Sequence, residues 1–162
     1  MNTFEDLGEI VEIYNQAIAA GQKTANITPV TTEDHEKWFK DHTPGKYPIL
    51  VAVDCNIIVG YLTSSPYRPG RMALRHTPEV SYFVHFEYHR QGVASNLLRH
   101  AIGMCPSLQI KNLFAILIDS NQDSIRLLEE YNFEKWGHMP QVAEFDEIEV
   151  DHLYYGLRVE KC

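Results

Sequence analysis

Apolar residues recur along this chain with two different periods, and the switches between them mark out its elements. In the segment 2–18, Leu7, Ile10, Val11, Tyr14 and Ile18 fall on one helical face, and Thr3 with Asp6 forms a capping-box-like start. Residues 31–42 (TTEDHEKWFKDH) predict a second helix, stopped by TPGK at 43–46. The β-rich runs 47–54 and 57–64 flank the turn Asp54-Cys55-Asn56 and predict a hairpin. Residues 65–78 are polar, with three prolines and a glycine, and read as a loop. Residues 79–86 (EVSYFVHF) predict the next strand. In 92–105, Val93, Leu97, Leu98, Ala101 and Ile102 share a helical face. Residues 112–119 (NLFAILID) are apolar on both sides, which suits a central buried strand. A helix is expected over 121–133, with Asn121 near its cap and Ile125, Leu127 and Leu128 inward. Late strands follow at 133–139 and 148–159.

The early hairpin implies antiparallel pairing, and the strand–helix–strand units after residue 78 imply parallel pairing there. The pattern therefore predicts a mixed α/β sheet covered by helices. At 162 residues the chain suits one domain, 1–162, with one substantial core.

Composition narrows the partners. Apolar residues make up 44% and charged residues 22%, as in an ordinary globular protein. No apolar run approaches the ~20 residues of a membrane span, and the start MNTFEDLGEI has no basic patch before an apolar run, so no secretory signal is read. Cys55, Cys105 and Cys162 are scattered and odd in number, which favours free thiols in a reducing cytoplasm over a disulfide framework or a zinc site. The formal net charge of -8 argues against nucleic acid as a partner. Any anion site must then be local. Eight histidines invite a metal reading, but no pair has ligand spacing with a carboxylate partner, so no metal is expected.

One local candidate stands out. In HRQGVAS (89–95), a glycine turn joins a strand to a helix. Free amides and the helix dipole at such a start attract anions. Gly92 allows close approach, Ala94 and Ser95 are small, and His89 and Arg90 can add cationic contacts. A glycine that merely lets a strand meet a helix explains the turn equally well. It lacks the GK[ST] of a P-loop and the three glycines of a dinucleotide fingerprint.

The stretch His89-Arg90-Gln91-Gly92-Val93-Ala94 resembles motif A of the GNAT superfamily of acyl-CoA N-acyltransferases, Gln/Arg-x-x-Gly-x-Gly/Ala, with His departing at the first position. The resemblance extends over nearly the whole chain: a strand like VSYFV before the loop, Asn121 after the next strand, then SIRLLEE and YNF. Within the superfamily, TPEVSYFV at 77–84, IYN at 13–15, PVTTEDHEKWF and PYRPG are similar to segments of the phosphinothricin and methionine sulfoximine acetyltransferases. The fold this implies is a mostly antiparallel sheet of about six to seven strands with a splayed parallel central pair, flanked by about four helices.

The resemblance implies that acetyl-CoA donates its acetyl group to the primary amine of a small molecule, such as an amino acid or analogue, by direct attack on the thioester. Glu79 matches the family's glutamate and is the expected base; from its type alone it reads as well as a solvated strand-start residue. Tyr82, Phe83 and Val84 are expected to line the pantetheine arm. Backbone amides of His89, Arg90, Gln91, Gly92, Val93, Ala94 and Ser95 are expected around the pyrophosphate. Asn121 is expected on the CoA arm, or else as an ordinary helix cap. Arg68, and more weakly Arg75, are candidates for a substrate carboxylate. Many members place a tyrosine general acid where this chain has Leu128, which leaves protonation of the thiolate unassigned; Tyr131, about one turn on, is a weak substitute. Leu74 and Pro78 also depart from the subfamily beside the substrate pocket. A protein N-terminus or a polyamine as acceptor, and a CoA-binding module without turnover, stay open. A homodimer is expected from the resemblance.

Overall fold

The computed structural model describes residues 6–159 of the 162. The helical stripe of the first segment forms α1 (Asp6–Ala19), burying Leu7, Ile10, Val11, Ile13 and Ile18. The expected cap at Thr3 lies outside the described residues. Asn15 of the IYN segment then pins the following loop, bonding both the carbonyl and the amide of Val30 at 2.9 Å. Helix α2 (Thr32–Asp41) starts at a full capping box, in which the Thr31 side chain takes the Asp34 amide and the Asp34 carboxylate takes the Thr31 amide.

The hairpin forms as β1 (Ile49–Asp54) and β2 (Ile57–Pro66), with Cys55 and Asn56 in the left-handed region at the turn. The loop that follows contains one short 3₁₀ turn at Met72–Leu74. Strand β3 (Pro78–Val84) stops two residues earlier than its pattern predicts. Its continuation turns away as a 3₁₀ helix, Phe86–Tyr88, whose entry the His85 ring caps at the Glu87 amide. Helix α3 (Val93–Met104), β4 (Asn112–Ile118) and α4 (Gln122–Glu130) follow as expected.

The last hairpin is β5 (Glu134–Phe145) and β6 (Ile148–Arg158). Strand β5 runs well past the expected 133–139. Pro140 and the left-handed Gln141 interrupt its ladder. The Asp151 carboxylate repairs the break by accepting the Gln141 amide at 2.9 Å and the His138 ring at 2.6 Å.

All six strands belong to one sheet, in the order β1-β2-β3-β4-β6-β5. Only β3 and β4 run parallel as neighbours, and their ladder has a single register pair, Glu79 with Phe114. Beyond it the two strands splay. The parallel pairing expected after residue 118 does not form: the α4 crossover carries β5 to the outer edge, and β6 inserts antiparallel against β4. One ladder satisfies β6 on each side, so β4 is buried centrally between β3 and β6.

Two apolar clusters cover opposite sides. Helices α3 and α4 pack Leu97, Leu98, Ala101, Ile125 and Leu128 on Val80, Leu113, Ala115 and Leu117. Helices α1 and α2 pack Ile10, Ile13 and Phe39 on Ile58 and Tyr61. Alternation along β6 sends Tyr155 into the first cluster, where its hydroxyl reaches Glu129 at 3.1 Å, and Tyr154 to the other face against Phe114. No helix among the described residues is long and apolar enough to cross a membrane.

Candidate active site

The splay opens the sheet between β3 and β4, and two cavities meet there. The first, of about 420 Å³, is walled by both strands, α1, α2 and the start of α4. The second, of about 390 Å³, runs from Tyr82, Phe83 and Val84 to the turn that begins α3. Lys23, Tyr82, Phe83, Asn121 and Ser124 belong to both walls, so the two form one cleft.

Glu79 sits at the fork, paired to Ser65 on one side and Phe114 on the other, and lines the first cavity. Burial raises its pKa above the ordinary glutamate value. A half-buried carboxylate with raised proton affinity, facing a cavity, has the properties of a general base. Aromatic side chains surround the same space. Tyr14 meets Phe83 edge-on at 5.1 Å and His35 at 5.6 Å, and His35 meets Trp38 at 5.3 Å. The His35 Nδ1 is buried without a hydrogen-bond partner among the described residues, and burial lowers the pKa of the ring. His152 reaches the cavity from β6, its pKa also lowered by burial.

The second cavity ends on the glycine turn. Gly92 is the cap of α3 at φ 79°, and a Cβ there would meet nothing within 4 Å. Its freedom therefore serves the left-handed turn and leaves open space beside it. No side chain caps α3, so its first amides have no intrahelical or capping partner. Arg90 also adopts the left-handed region, and with His89, Gly92, Val93, Ala94 and Ser95 it lines the cavity. The His89 ring and the Gln91 side-chain amide bond back to the backbone before the turn. His89 donates from Nε2 to the Val84 carbonyl at 2.9 Å, and Gln91 donates to the Glu87 carbonyl at 2.9 Å. Ser95 is tied by its hydroxyl to the Tyr131 hydroxyl at 2.8 Å, which also donates to the Ser95 carbonyl at 3.0 Å. Tyr131 is thereby held against α3, away from the fork.

Asn121 occupies the cap position of α4 but makes no side-chain cap bond. Its Oδ1 instead accepts from Lys23 at 3.2 Å, on the shared wall. Arg68 and Arg75 lie exposed on the loop before β3 and line neither cavity; Arg75 is turned back on the Met72 carbonyl at 3.0 Å. Lys23, His35, Trp38 and Ser124 escaped sequence reasoning. They come from a loop and helix faces that read as ordinary surface or core, and only the fold brings them to one cleft. Among the described residues no group of three His, Cys, Asp or Glu is placed to hold a metal ion.

A sheet forked around a carboxylate, with an uncapped glycine turn at the far end of the same cleft, is the layout of an N-acetyltransferase. Comparison with known proteins identifies which kind. The model of the Acetyltransferase (GNAT) family matches residues 10–133, and the chain belongs to that family. It is 39% identical over 141 residues to a Bacillus subtilis protein named "Putative phosphinothricin acetyltransferase YwnH", covering 87% of this chain and 86% of that one. It is 32% identical over 140 residues to the L-methionine sulfoximine/L-methionine sulfone acetyltransferase of Pseudomonas aeruginosa, covering 86% and 81%. The crystal structure of a GNAT superfamily phosphinothricin acetyltransferase from Sinorhizobium meliloti, in complex with AcCoA, superposes with a TM-score of 0.91 at 26% identity over 98% of this chain and 85% of that one. The fold expected from the sequence, including the splayed parallel pair, is the one observed.

Proposed function

We propose that this N-acetyltransferase moves the acetyl group of acetyl-CoA to the primary amine of an amino acid or amino-acid analogue of the phosphinothricin and methionine sulfoximine kind. The observation that carries the reading is the single cleft joining the uncapped α3 turn to Glu79. The fit of the donor rests on the same turn: first-turn amides without partners, and empty space over Gly92 where a pyrophosphate can approach. Amides of residues 90–95 hold the phosphates, the β3 edge at Tyr82–Val84 runs beside the pantetheine arm, and Asn121 bonds that arm from α4. The acceptor takes the aromatic-walled cavity. Glu79 accepts the ammonium proton, directly or through one water, because only the neutral amine is a nucleophile. The freed lone pair attacks the thioester carbon.

Arg68 and Arg75 remain the candidates for a substrate carboxylate, on the loop that leads into the Glu79 strand. The only Lys or Arg among the described residues lining the acceptor cavity is Lys23, which is a second candidate within the chain itself. A homodimer and a cytoplasmic location complete the reading. Exposed Trp136, Met139, Val142 and Ile148 on the outer hairpin support self-association, since scattered single apolar residues are ordinary but grouped ones mark contacts.

A free-thiol assay tests the reading. Acetyl-CoA is offered with phosphinothricin, methionine sulfoximine, methionine sulfone, the common amino acids and spermidine. Thiol release with an amino-acid analogue is the expected result. Release with spermidine alone, or with none while calorimetry still shows acetyl-CoA binding, overturns it.

A further inference from the structure

Ser65 stands directly opposite Glu79 in the β2–β3 ladder, and both line the acceptor cavity. Side chains of such a pair share one face of the sheet, with Cβ atoms about 4.5–5.5 Å apart. A serine hydroxyl this close to a carboxylate would ordinarily donate to it, because charge-assisted hydrogen bonds are the stronger ones. Here its partner is His42 instead, whose Nε2 lies 3.2 Å from the Ser65 Oγ.

The polarity of that bond follows from the other side of the ring. His42 Nδ1 lies 2.6 Å from the carbonyl oxygen of Trp38, one turn back in the chain. A carbonyl can only accept, so Nδ1 carries the proton. The neutral imidazole then has its lone pair at Nε2, and the Ser65 hydroxyl donates there. What Ser65 has left for the cavity is the lone pairs of its oxygen. The ring is held in place by packing on the Trp38 indole, with centroids 4.6 Å apart, and Trp38 is itself a wall of the cavity. Glu79 shows the consequence: burial raises its pKa and no hydrogen-bond donor lowers it. Lys23, His35 and His152 line the same cavity, from the loop after α1, from α2 and from β6, without altering that balance.

We propose that Ser65 is a binding residue for the acceptor amine, and that His42 is a positioning residue that fixes Ser65 as a hydrogen-bond acceptor. The inference rests on the acetyltransferase reading above. One N–H of the primary ammonium faces Glu79 and gives up its proton. A second donates to the Ser65 oxygen, which holds the nitrogen beside the carboxylate while its lone pair is freed. Because His42 takes the serine proton, the hydroxyl neither occupies Glu79 nor weakens it as a base.

The test is run at about pH 8, where an imidazole is neutral, on wild type, Ser65→Ala, His42→Phe and the double variant. Phenylalanine keeps a ring on Trp38 and removes the acceptor nitrogen. Ser65→Ala loses one hydrogen bond to a charged group, so KM for the amine rises about tenfold while kcat changes less. His42→Phe releases the serine proton onto Glu79, and kcat falls about tenfold. Adding Ser65→Ala to His42→Phe removes that proton and brings kcat back to the level of Ser65→Ala alone, a rescue that two merely structural losses do not produce. An unchanged KM in Ser65→Ala, an unchanged kcat in His42→Phe, or a double variant no faster than His42→Phe overturns the proposal. Nitrogen-15 spectra of the His42 ring at the same pH are expected to show Nδ1 protonated and Nε2 bare, and the opposite tautomer overturns the proposal with or without turnover. A wild-type protein silent with every amine instead removes the acetyltransferase reading, and the ring spectra still decide the polarity of the His42–Ser65 bond.

Discussion

Glu79 combines two demands that pull against each other. Burial that raises its pKa suits the base role proposed for it and also makes its charged form unfavourable in the folded protein. Relative to an unfolded chain, the folded state holds this proton more tightly. The contribution to stability is therefore present below the ordinary glutamate pKa and is lost as pH rises through the raised one. With Glu79 as the proposed base, activity is expected to run the other way and to climb over the same window as the carboxylate ionises. Glu79→Gln is expected to lose about 10²-fold or more of kcat, to bind acetyl-CoA normally, and to match or exceed wild-type melting temperature at pH 8. Steady-state rates against pH and a melting curve check both halves. Two strands away on β6, Gly156 lies under the Trp136 ring, where an added Cβ would overlap the ring carbons. Gly156→Ala must displace the indole and is expected to destabilise by about 1–3 kcal/mol, read as a lower denaturant midpoint at unchanged slope.

At the scale of elements, the cleft depends on how closely α3 approaches the hairpin. Gly60 on β2 makes that approach possible. A Cβ at position 60 would meet a Val93 methyl at 2.8 Å and the Phe83 carbonyl at 3.1 Å. Gly60→Ala is expected to push the first turn of α3 outward and so to weaken acetyl-CoA binding about tenfold, equivalent to ~1.4 kcal/mol, while Glu79 and the acceptor cavity stay in place. Calorimetry with acetyl-CoA reads this directly, and an unchanged affinity would show that α3 yields without moving its amides. Most helices and strands were legible because each carries a clean period. Helix α2 announced its start through Thr31 and Asp34, and β4 its central place through an unbroken apolar run. The errors came where local pattern lost to a specific contact. Strand β3 ends early because His85 caps a 3₁₀ turn, and β5 continues past Pro140 because Asp151, ten residues on, supplies the missing bond for Gln141.

For the whole molecule, the outer hairpin raises the question of assembly. Strand β5 has a ladder on one side only, and it and the first residue of β6 expose Trp136, Met139, Val142 and Ile148. An exposed apolar edge is an invitation to pairing. Sedimentation at micromolar concentration is expected to show a dimer, and introducing Lys at Val142 is expected to shift it toward monomer with little change in the far-ultraviolet spectrum; a wild-type monomer would count against the homodimer. The sequence by itself determined most of the elements, the mixed sheet, the acidic character and the glycine turn, because each is written in local periodicity or composition. Glu79 and the segment 89–95 were legible as candidates, through their spacing within a family-like pattern. What tertiary structure alone decided was the single-pair splay at Glu79 and Phe114, the insertion of β6 between β4 and β5, and the meeting of Lys23, His35, Tyr82, Asn121 and Ser124 at one cleft. Those features depend on pairings between segments as much as a hundred residues apart, as in the Lys23–Asn121 bond. Such pairings are chosen by whole-sheet packing, which no local window of the chain encodes.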